Sequence, residues 1–440
     1  MKRRPLIATA FVFFCLFAAL YATQARSSAE TASLFSTAAQ ETQNTRTDLT
    51  EKIRALSSAN PVERASAACQ IGEMGKRAAQ AIPQLIQMLG DDTPITSDIT
   101  CGERGTWRRN YGLDEPTSPG RIASHSLAAI GEQSVDPLIS VVRNPNPIVR
   151  MNAVFSLGVI NDPRTIEPVV AAARDSDSRV RENAVWGMGL KHDSSVVEPL
   201  IAALGDGESK VRGKAAWSLG LQGDDRAIEP LAAALKDESP RVREQAAWSL
   251  GLKGNRRAVE PLINTLRDGD WQVREKAAWS LGLKGDNRSV EPLTAALKDE
   301  HAQVRAQAAW ALGLKGDHRA VEALNTAMKD PSKNVRKNAA WALGLILMRD
   351  GKAADKAADL DINLKRDSDD DDEEEKEEAS GSSREIPVGV GVAAPVPMPI
   401  PMPVPRVNVS PRIDVAPGST VPSKTKSKQK EKPGGAFDNN

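Results

Sequence analysis

Six tryptophans recur at one interval. Trp186, Trp217, Trp248, Trp279, Trp310 and Trp341 stand 31 residues apart. Indoles at a fixed spacing either present contact area to a protein, peptide or glycan, or glue neighbouring structural units together. Arg150, Arg181, Arg212, Arg243, Arg274, Arg305 and Arg336 run at the same interval. A row of guanidinium groups forms either an anion site or a set of carboxylate pairs. Cys69 and Cys101 are the cysteines outside the apolar N-terminal run that holds Cys15. In an oxidising compartment two cysteines read as one bridge, whereas a redox pair usually takes a C-x-x-C spacing that is absent here. The histidines His125, His192, His301 and His318 are scattered. No H-E-x-x-H helix, G-x-S-x-G elbow or P-loop is present, so no catalytic residue, metal or cofactor is expected.

The elements that position these rows follow from the period. Gly158, Gly189, Gly220, Gly251, Gly282, Gly313 and Gly344 keep the same register, and the unit is clearest from Val211 to Gly344. Two helices fit each unit. In the first, Val242, Ala246 (or Ala247) and Leu250 form an apolar stripe. Ser239 is placed to cap it, Pro240 takes the first helical position, and Gly251 and Gly254 are expected to end it. Asp and Arg begin the second helix, whose apolar face is Val259, Leu262, Ile263 and Leu266. Trp248 projects almost opposite the main stripe, with Leu252 beside it. One hairpin cannot bury both faces alone, so stacked neighbours are needed. The expected fold is all-α, an α-solenoid of stacked helical hairpins.

Weaker copies of the first helix lie at Arg64 to Gly72 and Ala123 to Gly131, which makes nine first helices, and Ala81 to Leu89 fits the second-helix pattern. These residues resemble the HEAT-like repeats named after phycobilisome lyases, over about residues 60–350. The resemblance implies an Asp–Arg ladder between repeats. The pairs at a spacing of six are Asp206–Arg212, Asp237–Arg243, Asp268–Arg274, Asp299–Arg305 and Asp330–Arg336. The carboxylate-pair reading of the arginine row is preferred, because partly buried arginine needs such a partner. HEAT-like repeats also build deoxyhypusine hydroxylase, whose iron is held by His-Glu pairs, and bilin lyases. No histidine here precedes a glutamate, and no cofactor motif matches.

Outside the repeats, Lys2, Arg3 and Arg4 precede the apolar run from Leu6 to Ala22, and Thr23-Gln24-Ala25 offers small residues for cleavage. That order makes 1–25 an export signal, or an uncleaved membrane anchor as the alternative. The expected organisation continues with a linker (26–50), the repeat solenoid (51–350, with an insertion at 91–120) and a capping helix (351–366). A tail follows (367–440) that is acidic, then Pro-rich, then Lys-rich, and reads as a disordered spacer or a partner tether. The 58 basic residues balance 58 acidic ones. No general attraction to nucleic acid is expected, and the membrane is reached only through an uncleaved signal.

The expected function is therefore binding: an exported, periplasmic or cell-envelope scaffold for a protein partner, with no catalysis. The alternatives are a lyase-like or oxidoreductase-type HEAT enzyme or enzyme accessory, and a partner of a membrane sensor or metallopeptidase. The insertion, the tryptophan row and the tail are the candidate contact regions.

Overall fold

The computed structural model describes residues 47–96, 99, 101 and 117–349. The expected signal, the capping helix at 351–366 and the tail at 367–440 lie outside the described residues. So do most of the linker and most of the insertion, including Trp107, Arg108, Arg109 and Tyr111.

Residues 47–55 are helical. The hairpins then follow. The first helices are α1 (Pro61–Met74), α3 (Pro119–Ile130), α5 (Pro147–Val159), α7 (Ser178–Gly189), α9 (Ser209–Gln222), α11 (Pro240–Lys253), α13 (Trp271–Lys284), α15 (Ala302–Lys315) and α17 (Lys333–Arg349). The second helices are shorter, seven residues each: α2 (Ile82–Met88), α4 (Val135–Val141), α6 (Ile166–Ala172), α8 (Val197–Ala203), α10 (Ile228–Ala234), α12 (Val259–Thr265), α14 (Val290–Ala296) and α16 (Val321–Ala327). Among the described residues no helix is long and apolar enough to cross a membrane.

Local chemistry sets the helix ends. Asn60, Asn146, Asp177 and Asp270 accept a hydrogen bond from the backbone N–H two residues on, which satisfies an otherwise orphaned donor. Ser239 holds the corresponding position before α11 but makes no side-chain bond to the helix. Its preceding chain is anchored instead by Asp237, whose Oδ1 accepts from the Ser239 N–H at 2.8 Å. Asp162, Asp193, Asp224, Asp286 and Asp317 cap the short 3-10 turns that lead into second helices.

Gly251 does not end its helix. α11 runs on to Lys253, with Gly254 as its cap. Only some termini use the left-handed backbone that favours glycine, as at Gly223 (φ 77°) and Gly316 (φ 64°). The helix-internal glycines have a packing reason, described below.

The core is built from the expected stripes. Val242, Ala246, Ala247 and Leu250 are fully buried, as are Val259 and Leu262. Each first helix packs along the next first helix, and each second helix packs against the first helix that follows it. One continuous core therefore runs through the described repeats, rather than one core per hairpin.

Candidate functional site

Three hydrogen-bonded rows hold the first helices in register. The arginine row forms the first. Arg212 donates from Nε and Nη2 to the two carboxylate oxygens of Asp237, at 2.7 and 2.9 Å, and from Nη1 to the backbone carbonyl of Asp206 at 2.9 Å. The same arrangement joins Arg150 to Asp175, Arg181 to Asp206, Arg243 to Asp268, Arg274 to Asp299 and Arg305 to Asp330. The pairing therefore differs from the expected one. Asp206 offers Arg212 only its main-chain oxygen, and the carboxylate comes from Asp237, in the loop that leads to the next first helix. The guanidinium fork suits this task because it bonds a carboxylate bidentately and still has a donor left for the loop. Arg336 donates to the carbonyls of Asp330 and Pro331.

Burial alone would raise the Asp237 carboxyl. The hydrogen bonds from Arg212 and the Ser239 N–H, with the charges of Arg212 and Arg243, outweigh it and hold the group below the usual carboxylate range. Asp175, Asp206, Asp268, Asp299 and Asp330 shift the same way, each with burial opposed by its arginine and a loop N–H.

The other two rows are not among the expectations from sequence. Ser126, Ser156, Ser218, Ser249 and Ser280 are buried, and each donates to a carbonyl of the preceding first helix at 2.7–2.9 Å. Further along, Lys191, Gln222 and Lys315 reach back to carbonyls near the end of the previous first helix. Lys191 is buried, and burial, partly offset by Asp162, pushes it down to about 8. Both rows carry a sequence signal, since serine and lysine each recur at the interval of the tryptophans. Ser249→Ala is expected to cost about 1 kcal/mol, the net value of one such bond, and to leave the helix content unchanged. Chemical denaturation followed by circular dichroism measures it.

The tryptophans occupy the seam between first helices. A methyl group placed on Gly251 would lie 2.7 Å from Trp279 Cζ3, and one on Gly282 would lie 2.8 Å from Trp310 Cζ3. Gly313 stands to Trp341 in the same way. Each of these glycines is thus the seat of the next indole, and the close approach explains its place inside a helix. Trp217 and Trp248 lie nearly parallel, with centroids 6.5 Å apart. All six indoles are part-buried.

Trp186 stacks on Phe155 at 5.1 Å, and Phe155 meets His125 at 4.5 Å. Phe155 and His125 extend the aromatic column toward the N-terminus. One helical turn beyond the aromatic position runs an apolar row, Val159, Leu190, Leu221, Leu252, Leu283, Leu314 and Leu345. Val159, Leu190, Leu283 and Leu314 are 38–42% exposed.

Cys69 in α1 is bonded to Cys101. The base of the insertion is also closed by backbone bonds between Ile95 and Thr117 and from the Gly120 N–H to Asp91. Among the described residues no group of three or more His, Cys, Asp and Glu side chains is placed to hold a metal ion. His301 stacks on Trp271.

Repeated hairpins with this register match the family described as HEAT repeats, at residues 114–182, 166–239, 228–305 and 290–379, more than half of the chain. The chain belongs to the HEAT-repeat family. Among solved structures, this HEAT-repeat chain is similar to YibA of Escherichia coli, with 19% identity over 55% of this chain and 95% of that one and a TM-score of 0.41. It is similar to the CpcE–CpcF complex of phycocyanin lyase from Nostoc sp. PCC7120, with 21% identity over 53% and 94% and a TM-score of 0.34. It is also similar to human deoxyhypusine hydroxylase, with 21% identity over 63% and 99% and a TM-score of 0.27. No curated protein sequence matches it significantly.

Proposed function

We propose that this HEAT-repeat chain is an exported scaffold that holds a protein partner in the cell envelope and performs no catalysis itself. The observation that carries the reading is the apolar row beside the aromatic column. Single exposed leucines are ordinary on a protein surface. Here one exposed or part-exposed aliphatic side chain recurs on successive first helices, and such helices lie about 8–10 Å apart. A regular apolar strip on a framework held by three hydrogen-bonded rows is a surface that another protein can cover. The basic and apolar start of the sequence supports export, and the Cys69–Cys101 bond accords with an oxidising compartment.

The test is cross-linking in the native envelope followed by purification, with absorbance and metal scans on the same sample. The native chain is expected to carry a reproducible protein partner. A triple variant, Leu190→Glu, Leu283→Glu and Leu314→Glu, is expected to lose that partner at least about tenfold while its melting temperature stays within a few degrees, since these side chains are exposed. Retention of the partner by the triple variant would remove the strip from the reading. A chromophore-loaded or metal-loaded chain with no partner would overturn the scaffold. N-terminal sequencing of the envelope-derived chain tests the signal, with cleavage expected after Ala25.

A further inference from the structure

Each ladder arginine from Arg150 to Arg305 holds a carboxylate with two donors. Arg121 does not follow that rule. It lies in the first turn of α3, and its guanidinium carbon sits 4.0 Å from the centroid of the Phe155 ring. Phe155 is in turn stacked on Trp186, and His125 meets it at a tilt of 55°. Among the described residues no carboxylate hydrogen-bonds the Arg121 side chain, and Glu182 acts on it through charge alone.

The ladder arginines are shifted upward by their carboxylates, whereas burial brings Arg121 down to about 10 against the pull of Glu182. The neighbouring imidazole adds no second positive charge. Burial first, and Arg121 second, push His125 down to about 3, so it is neutral at neutral pH. A desolvated cation without a hydrogen-bonded anion is costly. Part of Arg121 still reaches solvent, which leaves a way in.

We propose that Arg121, seated over Phe155 where that ring stacks on Trp186 and meets His125, is a recognition point for an oxyanion, a carboxylate of an acidic peptide or a phosphate group. The planar fork would bond two oxygens of the group, and Phe155 holds the fork in place from below. Glu182 sets the limit on affinity, because it already neutralises part of the field. Neither the scaffold function nor the apolar strip is needed for this inference.

The full-length chain is titrated by calorimetry at constant ionic strength with inorganic phosphate and, separately, with an acetylated hexaglutamate peptide. Saturable one-to-one binding of at least one probe is expected. Arg121→Met should weaken it about tenfold or more, the value of a charge-assisted hydrogen bond. Arg121→Lys, which keeps the charge without the fork, should weaken it by less, and Arg241→Met should leave it unchanged. Preference for the peptide identifies a carboxylate source, and preference for phosphate identifies a phosphate source. The proposal is overturned if neither probe saturates the native chain, or if the variants at Arg121 bind as the native chain does. The lysine variant keeps the test decisive should the methionine variant not fold.

Discussion

Asp237→Ala is expected to destabilise the repeats by about 3 kcal/mol, the low end for breaking a buried charge pair, because Glu238 still reaches Arg212. The carboxylate accepts two bonds from Arg212 and one from the Ser239 N–H, and both side chains of the pair are largely buried. Removing it leaves the guanidinium only the exposed Glu238 carboxylate and the Asp206 and Gly207 carbonyls, and loosens the loop that starts α11. Asp237→Asn keeps the shape and loses the charge, so it should fall between the native chain and the alanine variant.

The acid dependence follows from the direction of the shift. The folded Asp237 carboxyl titrates below its unfolded value of about 4. Its contribution is present above that pH and is lost as pH falls through the folded value. Asp175, Asp206, Asp268, Asp299 and Asp330 share this direction. The native chain should therefore weaken steeply below about pH 4, and Asp237→Ala should weaken less steeply. Melting curves from neutral pH down through the carboxylate range measure both effects. Equal melting temperatures for the native and alanine chains at neutral pH would show that the ladder adds nothing to stability.

Trp279→Ala is expected to cost about 3 kcal/mol, the low end for removal of a large aromatic from a packed site, because the ring is only part-buried. The ring lies over Gly251 of the preceding first helix, and its loss opens a space there. The double variant Trp248→Ala with Trp279→Ala should melt much lower than either single one, since the two act on adjoining seams. Partner retention is measured on the same samples. A double variant that melts like the native chain but loses its partner would show that the indoles serve recognition and that the seam is held by serine and glycine alone.

Much of this is legible from the repeat, and the exceptions share a cause. Helical phase is local, so Val242, Ala246 and Leu250 identify the buried stripe without help. The contacts between repeats are not local. Gly251 reads as a terminator because the indole that needs its missing side chain, Trp279, belongs to the next repeat. The arginine ladder is legible as a row but not as pairs. In so regular a register every aspartate that shortly precedes one arginine also follows the previous one, and distance along the chain does not choose between them. The structure chooses by geometry, giving the backbone oxygen of Asp206 to Arg212 and its carboxylate to Arg181. The N-terminal end of the aromatic column is obscured by changes of residue type. His125 and Phe155 occupy the role that tryptophan has later, and their spacing falls just short of the regular interval.

The serine row has one more consequence. Each serine hydroxyl points back to the helix before it, and the glycine that follows it leaves room for the helix after it. The repeats whose first helices are α9, α11 and α13 thus each carry one male and one female surface of the same joint. Cutting out one whole repeat brings together two surfaces that already fit, and duplicating a repeat creates another joint of the same kind. Such a chain can be shortened or lengthened by whole modules while its core stays closed, so the number of modules is a property that selection can tune separately from the fold.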